Sequence, residues 1–171
     1  MKIKNLILGT VLLMASFTIK AQSQFDRFED IDGVSSVIVN QKAFELMSKI
    51  GAETDEEYLD LIKNIKTLKV FATEDTGVAK QMKAEAEKYL KSGRLEELMR
   101  VKDKDDNVKI YIKEGSNENF VKELFMFVSN ASDGDHETVI ISLTGNIDLR
   151  QVSKLTEKMD LPGGEELKKV K

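Results

Sequence analysis

Val108-Lys109-Ile110-Tyr111-Ile112-Lys113 alternates apolar with polar side chains, and its reading decides the fold of the second half of the chain. A period of two places Val108, Ile110 and Ile112 on one face of a strand and turns Lys109, Tyr111 and Lys113 to the other. Upstream, Leu98 to Val101 reads as its hairpin partner across the polar turn Lys102 to Asn107. Downstream, Phe120 to Val128 and Thr138 to Leu143 flank Asp133-Gly134, a dipeptide suited to the positive φ angles of a tight hairpin. Phe120, Leu124 and Phe127 also share a helical face, but the turn chemistry and the strong strand that follows favour a strand.

The first half has a different rhythm. Val34 to Val39 is a short branched run between Asp32-Gly33 and Asn40 and reads as a strand. Ala43, Leu46, Met47 and Ile50 then fall at helical spacing, ended by Gly51. Thr54 with Glu57 forms a capping box for a helix whose Tyr58, Leu61, Ile62 and Ile65 make one apolar face. Leu68, Val70 and Ala72 alternate as a second strand. Asp75 or Thr76 caps a longer helix carrying Val78, Met82, Ala86, Tyr89 and Leu90, closed by Gly93. At the far end, Asp148 caps a helix with Leu149, Val152, Leu155 and Met159 inward, stopped by Pro162-Gly163-Gly164. The order β-α-α-β-α-β-β-β-β-α predicts an α+β fold, a mainly antiparallel sheet with helices packed on one face. No internal repeat and no linker rich in Pro, Gly or Ser divides residues 22–171, so one domain is expected, with a frayed charged tail from Glu165.

The N-terminus carries an address. Lys2 and Lys4 precede an uncharged, mostly apolar stretch from Leu6 to Phe17, and Thr18-Ile19-Lys20-Ala21-Gln22 follows. This is the layout of a secretory signal peptide over residues 1–21, with Ala21 before the cut. The apolar stretch is shorter than the roughly twenty residues that span a bilayer. A periplasmic or secreted chain starting near Gln22 is expected, with no stable membrane insertion after cleavage. Losing Lys2, Lys4 and Lys20 takes the 26 basic residues to 23 against 30 acidic ones, a net charge of −7 in place of −4.

Composition removes whole classes of chemistry. With 171 residues, no cysteine and one histidine, the chain cannot form a disulfide scaffold, a thiolate metal site or a cysteine nucleophile. A processed chain of this size buries a sufficient core without disulfides. The acidic balance argues against nucleic acid as a partner. Gly33, Gly51, Gly77, Gly93, Gly115, Gly134 and Gly145 are spread singly and form no phosphate loop.

Three constellations bear on chemistry. Asp103, Asp105 and Asn107 take alternate positions of a calcium-loop pattern with Glu114 at the twelfth, but Val108 stands where the sharp turn needs glycine and a strand follows. A solvated hairpin turn is the simpler reading. His136 stands alone in a turn, where a base is poorly preorganised, and no Gly-x-Ser-x-Gly turn supports a triad. The adjacent acids Glu96-Glu97, Asp55-Glu56-Glu57 and Glu165-Glu166 offer paired carboxylates, yet each sits where acids are ordinary solvated surface. Phe25 and Phe28, in the acidic segment Asp26 to Asp32, read either as an anchor under the sheet or as an arm that adds to a partner's edge.

Ala21-Gln22, Phe25-Asp26-Arg27-Phe28, Gly33-Val34-Ser35-Ser36-Val37, Leu95 to Asp103 and Leu143-Thr144-Gly145-Asn146-Ile147-Asp148-Leu149 together resemble the secreted domain of unknown function 4252 of Bacteroidota. The resemblance spans nearly the whole processed chain and rests on fold-type patterns. It implies no reaction, no cofactor and no functional residue. Family members are often encoded near extracytoplasmic-function sigma factors, which implies an envelope-associated or regulatory role.

The expectation is therefore an exported, non-catalytic binding or protein-interaction module of the periplasm or cell envelope, with an envelope protein or other periplasmic ligand as partner. No catalytic, cofactor-binding or metal-binding residue is assigned. The alternatives are a carboxylate-based hydrolase of an envelope polymer and a weak calcium-dependent module.

Overall fold

A computed structural model describes residues 24–50, 56–103, 106–130 and 137–152. Strand β1 (Val34–Asn40) runs directly into helix α1 (Gln41–Ile50), and helix α2 (Glu56–Asn64) runs directly into strand β2 (Ile65–Thr73). Helix α3 (Thr76–Gly93) then leads to four successive strands, β3 (Glu96–Asp103), β4 (Asp106–Glu114), β5 (Phe120–Asn130) and β6 (Thr138–Asp148). A short 3₁₀ turn, Leu149–Gln151, follows. The α+β class and the element order are those the sequence predicts. The remainder of the predicted last helix lies outside the described residues, as do residues 1–23.

The six strands form one antiparallel sheet in the order β1-β2-β6-β5-β4-β3. The last of the described strands thus sits between β2 and β5. Gly145 marks the junction. At φ +153° it faces Ile65 across an irregularity in the β2–β6 pairing, and a Cβ there would lie 2.3 Å from the Asn64 carbonyl oxygen. Only glycine permits that approach without displacing the backbone.

Helices cover both faces of the sheet, not one. The reason is in the strands: β2, β5 and β6 are apolar at both parities, so each face needs a lid. One face is aliphatic. Leu68, Val70, Leu124, Met126, Val139 and Ile141 meet Phe44 of α1 and Leu61 and Ile62 of α2. The other is aromatic. Phe71, Phe125, Phe127 and Ile140 meet Val78, Met82, Ala86 and Tyr89 of α3.

The segment ahead of β1 belongs to the aromatic face. Phe25 and Phe28 are buried there, Phe25 edge-on to Tyr89 at 5.3 Å and stacked near Phe125 at 5.5 Å. Arg27 lies 4.7 Å above the Phe28 ring and 3.1 Å from Glu85, while Asp26 pairs with Lys69 of β2. Gln24 Nε2 donates to Glu85 Oε1 at 2.6 Å. These contacts anchor the segment under the sheet, and the reading of Phe25 and Phe28 as a free arm is not followed.

At the two ends of α3 one expectation is met and one shifts. Asp75 is the cap of α3, its carboxylate accepting from Gly77 N and Val78 N at 2.8 Å each. The left-handed residue that ends the helix is Arg94, at φ 52°, and not Gly93.

Candidate functional site

Large apolar side chains left in water are the informative exceptions in a folded chain. Among the described residues five are exposed, and all five lie on β1 and α1: Val37, Ile38, Leu46, Met47 and Ile50. Val37 is 53% and Ile50 77% exposed. The helix that carries three of them is the predicted one, but its buried contact differs. Phe44 fills the core at 0% exposure, and the stripe of Leu46, Met47 and Ile50 faces outward. Helical spacing alone does not distinguish these directions, because Phe44 and Met47 are themselves three apart. The larger ring occupies the space against β2.

β1 holds α1 close to this edge. The Asn40 side chain, at the end of the strand, accepts from Ala43 N at 3.1 Å and so caps α1 without an intervening loop. β1 itself is an edge strand, paired only to β2 within the sheet. Its seven residues carry no charge and no proline, its register with β2 is unbroken, and five of the seven are exposed. A regular, neutral edge leaves one row of backbone donors and acceptors open to another strand.

The opposite edge is built otherwise. Five of the eight residues of β3 are charged, and its register with β4 shifts between Glu97 and Met99. Arg100 Nη2 reaches Glu97 Oε2 at 2.6 Å, which holds the Glu97 carboxyl below its usual range. Charge and a bulge are the ordinary means of keeping an edge from pairing.

A second polar feature lies inside the aromatic face. Glu123 of β5 is only 5% exposed, and its Oε1 accepts from Tyr89 OH at 2.6 Å and from Ser142 Oγ at 3.5 Å. Burial pushes its carboxyl above the ordinary carboxylate range, while the Tyr89 hydrogen bond and the charge of Lys113 pull the other way. Burial and the same carboxylate raise the Tyr89 phenol well above its usual value. The pair ties α3 to β5 through one strong, charge-assisted bond. Its chemistry is positional: the acid orients Tyr89 beneath the helix.

Gly33, Val34, Ser35, Ala72, Thr73, Glu74, Asp75 and Glu137 line an open cleft of about 530 Å³ at one end of β1 and β2. Two of its polar side chains, Thr73 and Asp75, are engaged locally. Thr73 Oγ1 donates to Gly33 O at 2.7 Å and accepts from Asp75 N at 3.2 Å, and the Asp75 carboxylate caps α3. Among the described residues, no group of three or more His, Asp or Glu is placed to hold a metal ion.

Among the described residues, the acids singled out in the sequence form no group of three that could hold a metal ion. Asp103 and Asp106 close the β3–β4 hairpin as a cross-strand pair, and residues 108–112 are strand, in line with the hairpin reading. Asn107 pairs with Lys102, and its buried Oδ1 makes no hydrogen bond among the described residues. Asp105 and His136 lie outside the described residues, as do Asp55, Glu165 and Glu166. Glu56 is exposed at the start of α2, and Glu96 and Glu97 are on the β3 edge. Sequence reasoning passed over Glu123, although one acid inside the apolar run Phe120 to Val128 was a signal in itself. It also assigned Leu46, Met47 and Ile50 to the core.

Among the described residues no helix is long and apolar enough to cross a membrane. No curated protein and no solved structure matches the chain. A family model does match, over residues 28–155, and it describes a domain of unknown function, DUF4252. That span runs from Phe28, the anchor of the N-terminal segment, past β6, and so takes in every strand of the sheet. The chain belongs to the DUF4252 family.

Proposed function

We propose that this protein is an exported protein-interaction module of the cell envelope, and that β1 together with α1 is its docking surface. The observation that carries the reading is the collection of all five exposed large apolar side chains of the described residues on those two adjoining elements. Apolar surface gathered beside an open strand edge is the arrangement that strand addition uses, with backbone hydrogen bonds for affinity and alternate side chains for selectivity. The charged stretch Lys2 to Lys4, the apolar run to Phe17 and Ala21 support export.

The test is a photo-activated cross-linking side chain placed singly at Val37, Leu46 or Lys102 of the chain expressed in its own cells. Adducts from Val37 and Leu46, with none from Lys102, are expected. Cross-linking that is absent at Val37 and Leu46, or equal at all three positions, rejects β1 and α1 as the docking surface. Export is tested separately, by fractionation and the N-terminal mass of the processed chain, expected to begin near Gln22.

A further inference from the structure

We infer that the partner on this surface is a second copy of the chain, joined antiparallel through β1 so that two six-stranded sheets become one continuous sheet. The inference rests on the docking surface proposed above and names what occupies it.

The edge is suited to itself in three ways. The first is symmetry. A twofold axis normal to the sheet turns an edge strand antiparallel to its own copy, and one residue then faces itself. With that residue at Val37, the centre of β1, Ile38 falls opposite Ser36 and Val39 opposite Ser35. No like charges meet along the strand, because β1 has none. The β3 edge lacks this neutrality, and its bulge between Glu97 and Met99 breaks the even register that such a pairing needs.

The second is charge at the two ends. Exposed Glu29, Asp30 and Asp32 precede β1, and exposed Lys42 and Lys49 follow it on α1. An antiparallel copy brings the acidic end of one strand to the basic end of the other, twice. Asp32, in the turn before β1, lies as many residues ahead of Val37 as Lys42, in the first turn of α1, lies after it, so this pairing brings the turn of one copy toward the helix start of the other. Lys42 is exposed and already reaches Glu45 of its own helix at 3.1 Å, an arrangement that a surface cation can share.

The third is the apolar surface. An axis normal to the sheet keeps each face on its own side. Val37 has the parity of Val39, which packs on the aliphatic face, the same face that α1 covers. Pairing therefore brings two copies of Val37 together on the face that carries both α1 helices and their exposed Leu46, Met47 and Ile50. Ile38 of each copy meets its counterpart strand on the aromatic face.

The experiment is sedimentation equilibrium of the exported, processed chain, with amide exchange across β1. A dimer whose β1 amides are protected is expected. Val37→Lys, which sets like charges beside the axis, should raise the dimer dissociation constant roughly a hundredfold or more without lowering the melting temperature of the monomer. Asp32→Lys and Lys42→Glu should each weaken the dimer roughly threefold, and the double variant should restore it. That rescue occurs only if the two positions meet across copies, and it remains informative if Val37→Lys disturbs folding. A chain that stays monomeric at about 0.1 mM overturns the inference. So does a dimer that Val37→Lys leaves intact, or a double variant no tighter than the singles. If the chain is monomeric but Val37 still cross-links to a different protein, the docking surface stands and only self-pairing fails.

Discussion

β1 and β3 close the same sheet at its two ends, and they treat the open backbone in opposite ways. β3 is charged at five of eight positions and bulged, while β1 is neutral and regular over seven residues with Val37 and Ile38 in water. Their surroundings differ as well. β1 adjoins α1, which it caps through Asn40, and the anchored segment from Gln24 to Ile31 lies beneath its neighbour β2. β3 ends at a hairpin. A chain that protects one edge so fully has the means to protect both. The bare edge beside an exposed apolar helix is therefore read as a working surface and not as a general feature of the sheet.

The largest effect should come from removing the anchor on the β1 side. Phe28→Ala deletes a ring at 0% exposure that contacts Phe71 of β2, and should cost about 3–5 kcal/mol by chemical denaturation. Amide exchange should quicken more in β1 and β2 than in β3 and β4. Equal loss at both ends would show that the anchor supports the sheet as a whole, and the contrast between its ends would be lost.

Next comes the seam between the two halves. Gly145→Ala forces a Cβ toward the Asn64 carbonyl at a φ of +153° and should destabilise by roughly 2–3 kcal/mol. Exchange should rise first along the β2–β6 pairing. A variant as stable as the parent would mean that the backbone there yields freely.

A smaller change, of opposite sign, is expected from Glu123→Gln. Glu123 has a folded-state pKa raised above its ordinary 4.5, so the fold favours its protonated form. Its contribution is full below that ordinary value and is lost as pH rises through the raised one. Glutamine keeps an acceptor for Tyr89 without the buried charge. It should add about 1 kcal/mol at neutral pH and flatten the decline above pH 4.5 in thermal melts. A variant less stable than the parent at neutral pH would show that the charged Tyr89–Glu123 bond outweighs its burial.

Least visible in stability is the removal of the charges on β3. Glu96→Thr and Glu97→Thr combined with Arg100→Thr and Lys102→Thr should leave the melting temperature nearly unchanged, because all four side chains stand in solvent. Light scattering should nevertheless show new, concentration-dependent association. If none appears, charge is not what keeps β3 unpaired, and the bulge alone separates the two edges.

Much of this architecture was legible in local patterns. The alternation from Val108 to Lys113, the Asp75 cap and the aromatic anchor all rest on interactions within a few residues or on a plain need for burial. The strand order was not, because β2 meets β6 only through a pairing of residues 65–73 with residues 138–148. The division of helices between two faces was written in the continuous apolar run Leu124 to Val128, which suits a strand covered on both sides. The docking surface was hidden for a different reason. Leu46, Met47 and Ile50 satisfy the helical period as well as any core stripe, and only the seating of Phe44 turns them outward. Burial of Glu123 likewise depends on Tyr89, 34 residues away.

The place of β6 carries a consequence for the order of events. The strand at the centre of the sheet follows the other five along the chain, so β1–β2 and β3–β5 must wait for the strand that joins them. Contacts so distant along the chain close slowly, on the millisecond-to-second scale of β-rich domains. Until β6 inserts, β2 and β5 are themselves open edges, and far more apolar than β1. In the half-made protein the vulnerable edges are thus the interior ones, and they vanish together when a single strand slides between them.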